Sequence, residues 1–182
     1  MKNKLSMKQK AIILLVIIIG IFFVSTLLFN FYANQSKLND ERMGYYNNFT
    51  WDMSTEEVMN RLINTNAELI NDSIVVMNEK ITYFDGIKAN LIYKFDENKL
   101  KEIAILIKEN NLDGTLEKVR QKFNTLYGEE EKVDNSNGRG FAYSYEWTTE
   151  KSDISILVIE ESSTYNTSKG VTIYYRSMDY DQ

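Results

Sequence analysis

Residues 87–107 read IKANLIYKFDENKLKEIAILI, and this stretch decides the fold. From Ile87 to Phe95 the residues Leu91, Tyr93 and Phe95 fall on one face of an extended segment, the period-two pattern of a sheet strand. Asp96-Glu97-Asn98 then turns the chain. In the segment that follows, Leu100 to Ile107, Ile103, Ile105 and Ile107 share one face while Ala104 and Leu106 share the other. A strand apolar on both faces predicts a central position in a sheet, and a short polar turn joining two such strands predicts an antiparallel pair.

Working upstream, Lys80 to Phe84 reads as another strand, with Asp85-Gly86 supplying the permissive φ of a tight turn. Before it, Trp51-Asp52-Met53-Ser54-Thr55-Glu56-Glu57-Val58 is a helix start. Ser54 caps, Glu57 reaches back to close a capping box, and Met53 and Val58 stand at the two ends of a hydrophobic staple. Val58, Leu62 and Ile63 supply the buried stripe, which carries this helix to about residue 64.

Downstream the pattern recurs. Leu116, Val119, Phe123, Leu126 and Tyr127 keep helical spacing over 115–127, and Gly128 stands where a helix-ending residue belongs. After a polar stretch over 129–140, strands are expected at 141–148, 153–160 and 170–177. The order is therefore α-β-β-β twice, in halves of about 51–109 and 113–178. Two helices cannot cover both faces of six strands. The sequence thus predicts an α+β domain over 49–182, with an antiparallel sheet, two helices on one face and much of the other face uncovered.

The amino-terminal 48 residues have another character. Ala11 to Phe29 is an uncharged run, AIILLVIIIGIFFVSTLLF, preceded by Lys2, Lys4, Lys8 and Lys10 and interrupted only by small residues such as Gly20. At 1.5 Å per residue, a helix of this length spans close to ~30 Å of hydrocarbon. Phe29, Phe31 and Tyr32 set aromatic rings at the far interface, and no acidic residue occurs among the first 33 positions. The expectation is a single-pass anchor in the cell membrane over 1–33, spanning at 11–29, with a cytoplasmic basic tip and the remainder exported. Cleavage as a signal peptide is the competing reading. Its apolar region is normally shorter, and Ala33 and Ser36 offer poor small-x-small sites. Residues 34–48 read as a polar stalk, helical as far as Met43 and ending near Gly44.

Composition excludes several chemistries. The chain has no Cys and no His, which removes disulfides, thiolate metal sites and every Ser-His or Cys-His catalytic arrangement. Its 21 basic and 26 acidic residues give a net charge of −5, which argues against a nucleic-acid surface. Without the four leading lysines, 17 basic residues face 26 acidic ones, so the part beyond the membrane carries −9 and is repelled by anionic lipid. The proline-free, Asn/Lys/Ile-rich composition is similar to that of low-GC bacterial chains.

The helix start at 51–58 followed by Tyr93-Lys94-Phe95-Asp96-Glu97-Asn98-Lys99-Leu100 resembles the small exported modules of the SmpA/OmlA outer-membrane assembly lipoproteins and the β-lactamase-inhibitor-protein-like type. Asp52 replaces the Gly of that pattern, the Gly-x-Pro after the first helix is absent, and a spanning helix stands in place of the lipoprotein Cys. The resemblance implies a module that binds other proteins at the cell envelope. It carries no catalytic residues and no cofactor with it.

Among site-like features, Asn135-x-Asn137-x-Arg139-Gly140 with Glu146 brushes the calcium-loop template, but Arg139 puts a cation at a ligand position and a hairpin loop is the better reading. Asn137-Gly138-Arg139-Gly140 lacks both the following helix and the Gly-Lys-Ser/Thr of a phosphate loop, and Glu129-Glu130-Glu131 reads as solvated surface. Phe141, Tyr143, Tyr145 and Trp147 place four rings on one strand face, with Tyr174 and Tyr175 nearby. Because Ala142, Ser144 and Glu146 are small or polar, that ring face reads as core under the second helix. The competing reading makes Tyr143, Tyr145, Trp147, Tyr174 and Tyr175 an exposed binding platform. The function expected is a non-enzymatic, membrane-anchored accessory module binding an envelope protein through its open sheet face or edge. A ligand-sensing ectodomain for a small molecule or wall fragment is the alternative, and a hydrolase working through paired carboxylates a third.

Overall fold

The computed structural model describes residues 7–79, 81–134, 142–159 and 169–180. The chain divides into two compact units, Met1–Asn39 and Asp40–Gln182. Lys2, Lys4, the loop over 135–140 and Phe141 lie outside the described residues.

The first unit consists of most of α1, Met7–Arg42. From Val16 onward this helix is long and apolar enough to cross a membrane, with a mean hydropathy of 2.2 in its most apolar window. Its apolar side chains are open on all sides, as Phe22, Phe23 and Phe29 illustrate. The two hydroxyls within the apolar stretch are satisfied internally. Ser25 Oγ and Thr26 Oγ1 both donate to the Phe22 carbonyl, at 2.8 and 2.9 Å, which removes their cost in an apolar medium. Helical geometry continues through the residues read as a stalk, to Arg42.

Within the second unit the chain leaves the helix through a turn at Gly44, where φ is +87°. Thr149 Oγ1 donates to the Met43 carbonyl at 2.8 Å and Ser152 Oγ to the Gly44 carbonyl at 2.9 Å. A Cβ at Gly44 would sit 2.5 Å from Thr149 Oγ1 and 2.7 Å from Ser152 Cβ, so both backbone angle and space require glycine.

α2 is Thr55–Arg61, and its start is built as the sequence dictates. Ser54 Oγ accepts from the Glu57 amide at 3.2 Å, and the Ser54 amide donates to Glu57 Oε2 at 2.8 Å. Met53 and Val58 are buried. The helix stops earlier than expected. Leu62 caps it, so Ile63, assigned above to the buried stripe, is instead 75% exposed.

Next come β1 (Ala67–Ile70), β2 (Ile74–Met77), the two-residue β3 (Ile81–Thr82), β4 (Lys88–Asp96) and β5 (Lys99–Ile107). After α3, Leu112–Tyr127, come β6 (Glu131–Asp134), β7 (Ala142–Thr148), β8 (Ser152–Ile159) and β9 (Gly170–Ser177). All pairings are antiparallel. The long strands stand in the order β1-β2-β4-β5-β9-β8-β7-β6, with β3 on β4. Each half thus runs a meander from an outer edge to the centre, where β5 meets β9. The sequence reading had three strands per half. The additional ones are β1, β2 and β6, while the strand expected at 80–84 shrinks to β3.

Four tight turns rest on positive φ in both central residues: Asn47-Asn48, Asn71-Asp72, Asp85-Gly86 and Glu97-Asn98. The last of these also positions α2, because Asn98 Oδ1 accepts from the Thr55 amide at 3.2 Å and the Leu100 amide donates to the Met53 carbonyl at 2.8 Å.

One cluster forms the core. It takes Val58 and Leu62 from α2, Leu116, Val119 and Phe123 from α3, and one face of the sheet: Leu91 and Tyr93, Ile103 and Ile105, Ile173 and Tyr175, Ile154 and Ile156, Tyr145 and Trp147. Both helices therefore lie on the same face. Burying a side chain such as Phe123 or Val119, each fully enclosed, contributes about 1.5–3 kcal/mol.

Candidate functional site

Among the described residues, no helix lies on the opposite face of the sheet. Strand register assigns it Val76, Ile92, Ala104, Leu106, Tyr174 and Leu157, which form an apolar band across the central strands. At one end of that band sits a buried carboxylate. Glu102 is 2% exposed, with Oε1 2.6 Å from Lys94 Nζ and Oε2 accepting from Arg176 Nε at 2.6 Å. Cross-strand pairing brings these three side chains into one row, since Glu102 stands opposite both Lys94 and Arg176. The Arg176 guanidinium in turn lies 4.5 Å from the centre of the Tyr174 ring. Arg176 is thereby held by Glu102, with its guanidinium laid against the Tyr174 ring on the same face of the sheet.

Toward one edge this face is acidic. Glu131 stands directly opposite Glu146, both exposed, and Asp153 is exposed on the neighbouring strand. Like charges placed opposite each other on a sheet are destabilising, and a cationic surface laid against them relieves the repulsion.

The two partners of the Glu102 cluster differ in what their loss strands. Arg176→Leu leaves a carboxylate enclosed with Lys94 alone, and the expected cost is about 3 kcal/mol. Glu102→Leu leaves two cations whose side chains are 40% and 26% exposed and can turn to water, so the expected cost is about 1 kcal/mol or less. Denaturant unfolding of the two variants checks this order. Equal losses would mean that Glu102 is solvated after all.

The rings singled out from the sequence do not form one exposed platform. Tyr145, Trp147 and Tyr175 lie in the core under α3, and Tyr143 is half-buried beside Tyr145. Trp147 Nε1 donates to Asn124 Oδ1 at 3.0 Å and to the Gly128 carbonyl at 3.1 Å, which fastens the strand to the end of α3. The Arg120 guanidinium covers the Tyr145 ring at 4.1 Å and pairs with Glu130. Only Tyr174 is on the helix-free face. Adjacent residues of a strand point to opposite sides, so Tyr174 and Tyr175 cannot belong to one surface.

A concave feature lies on the helix-bearing side, where the end of α2 approaches β2 and β4. It is a pocket of about 300 Å³ with Leu91 and Tyr93 at its base, Tyr46 and Phe49 as walls, and Arg61 and Thr65 at its mouth. Sequence reasoning did not find it, because its walls come from four separate segments. Beyond it, Tyr83 Oη stands 3.1 Å from Tyr175 Oη, and Tyr127 also hydrogen-bonds Tyr175. Burial raises the phenol pKa of Tyr46, Tyr83, Tyr93, Tyr127 and Tyr175.

Among the described residues, no group of three or more Asp or Glu is placed to hold a metal ion. Comparison of the chain with protein-family models, with curated proteins and with solved structures finds no match.

Proposed function

We propose that the chain is a membrane-anchored accessory module of the bacterial cell envelope that works outside the cytoplasm by binding another protein. The helix-free sheet face is the binding surface. The observation that supports this most directly is the Tyr174 ring in the apolar band with the Arg176 guanidinium, itself held by Glu102, laid against it, since Tyr and Arg anchors beside apolar surface carry most of the energy at protein interfaces. The apolar helix α1 and the lysines before it supply the tether and its orientation. The exposed carboxylates of Glu131, Glu146 and Asp153, together with the net charge of −9 outside the anchor, favour a partner with a basic rim.

Photo-crosslinking in intact cells tests the reading. A crosslinking residue at Ser155, on the helix-free face, is expected to trap one envelope protein, whereas one at the exposed Lys118 on α3 traps none of it. Tyr174→Ala should reduce that adduct at least tenfold without loss of folded protein, the effect of removing a central anchor. An adduct equally strong from Lys118, or indifferent to Tyr174→Ala, overturns the assignment of the face.

A further inference from the structure

The pocket between α2 and the sheet has two polar features that the fold itself does not explain. The first is the Tyr93 phenol. Its residue is 2% exposed, and its hydroxyl donates only to Met77 Sδ, at 3.9 Å. A thioether is a weak acceptor, so a strong donor is left almost unspent in a buried position. The second is Arg61 at the mouth. It donates through Nη1 to the Asn48 carbonyl at 2.6 Å and lies 5.7 Å from the Phe49 ring centre; Glu57, one turn earlier on α2, acts on it electrostatically, yet no carboxylate among the described residues comes within 4.0 Å of it. The pocket lining contains no acidic residue at all. Between these two donors the surface is apolar, made by Leu91, Leu62 and the Phe49 ring.

We infer that this pocket is a binding site for a small monocarboxylate with an apolar, preferably aromatic, body. Its volume of about 300 Å³ is at the lower end for small-molecule sites. At ~30 Å³ for each water-sized group it holds about ten non-hydrogen atoms. A ring enters against Phe49 and Tyr46, where offset and edge-to-face packing is available. The carboxylate stays at the mouth on the free N–H groups of Arg61, whose planar fork suits a carboxylate better than any other side chain. A polar atom on the inner end of the ligand takes the Tyr93 hydroxyl away from Met77. The site is separate from the helix-free face, so either assignment can fail without the other.

Full-length protein in lipid nanodiscs, titrated with 3-phenylpropionate, 3-(4-hydroxyphenyl)propionate and the neutral 3-phenylpropanamide, tests this by calorimetry and saturation-transfer NMR. For ligands of about a dozen atoms, saturable binding of the acids with Kd on the order of 0.1–1 mM is expected. The amide should bind at least tenfold more weakly. Arg61→Gln, an exposed position, should bring the acid down to the level of the amide while lowering Tm by no more than a few degrees, the loss of its bond to the Asn48 carbonyl. Tyr93→Phe should erase the advantage of the hydroxylated acid over the plain one while leaving the plain acid bound. Equal binding of acid and amide, an unchanged acid affinity in Arg61→Gln, or no saturation by any of the three at 10 mM would each overturn the assignment. So would binding of a peptide ending in Phe under conditions where the free acids do not bind, which would mark a seat for a chain terminus instead.

Discussion

Raising the pH from 9 to 12 is expected to unfold the sheet-bearing unit in one cooperative step. Five phenols, those of Tyr46, Tyr83, Tyr93, Tyr127 and Tyr175, have pKa values raised by burial above the ordinary value of about 10. The folded state therefore keeps their protons at a pH where the unfolded chain releases them. Stability from these groups is complete below pH ~10 and falls as the pH rises from there toward their folded values. Each fully buried phenol can withdraw up to about 1.4 kcal/mol per pH unit, so Tyr93 and Tyr175, enclosed on all sides, can together withdraw about 3 kcal/mol per unit, and the partly buried Tyr46, Tyr83 and Tyr127 add less. Total stabilities of domains are about 5–15 kcal/mol, and about two units above pH 10 therefore reach the lower part of that range. Phenolate absorbance and far-ultraviolet circular dichroism are expected to change together. A gradual phenolate titration near pH 10 with the dichroism intact would show that these rings are accessible to water.

Phe123→Ala is expected to be the most damaging single truncation in α3. The ring is fully buried and meets three others edge-on: Tyr127 at 5.4 Å, Trp147 at 5.3 Å and Tyr175 at 6.0 Å. Its removal opens a cavity between α3 and two strands that rigid aromatic neighbours cannot close, at a cost of about 3–5 kcal/mol. Thermal unfolding should move down by roughly 10–15 °C. Trp147 is held to α3 by Asn124 and Gly128, so its fluorescence reports on the same site. A shift below about 3 °C would mean that the neighbours collapse into the gap and that the aromatic cluster is less rigid than its geometry.

What the sequence revealed and what it hid follow from how local each cause is. The capping box at Ser54 and Glu57 involves residues three apart and was readable directly. So were β4, β5, β8 and β9, where alternation extends over eight or nine residues. β1 and β2 are four residues each, too short for a periodic signal, and Asn71-Asp72 between them was the overlooked turn. β6 reads Glu-Lys-Val-Asp, which propensity assigns to a loop. It is a strand because β7 offers it an edge, and charged edge strands are the kind that resist unwanted pairing. The interior position of Tyr145 and Trp147 was legible from the small and polar residues between them. The Glu102 cluster was half legible. Lys94 faces Glu102 across a hairpin, whereas Arg176 arrives from β9, far along the chain. The monocarboxylate pocket was invisible, because nothing local links Arg61 to Tyr93.

The central place of β9 governs the order in which this sheet can be made. β5 has no other partner on that side, and neither has β8, so the two meanders share no main-chain hydrogen bonds until the last strand in the chain is inserted between them. A ribosome or an export channel that delivers the chain amino-end first therefore presents β5 with a bare edge for as long as the next seventy or so residues take to arrive. During that interval the nascent product is open to strand capture by a second copy of itself, and a holding chaperone that occupies that edge would determine how much of it matures.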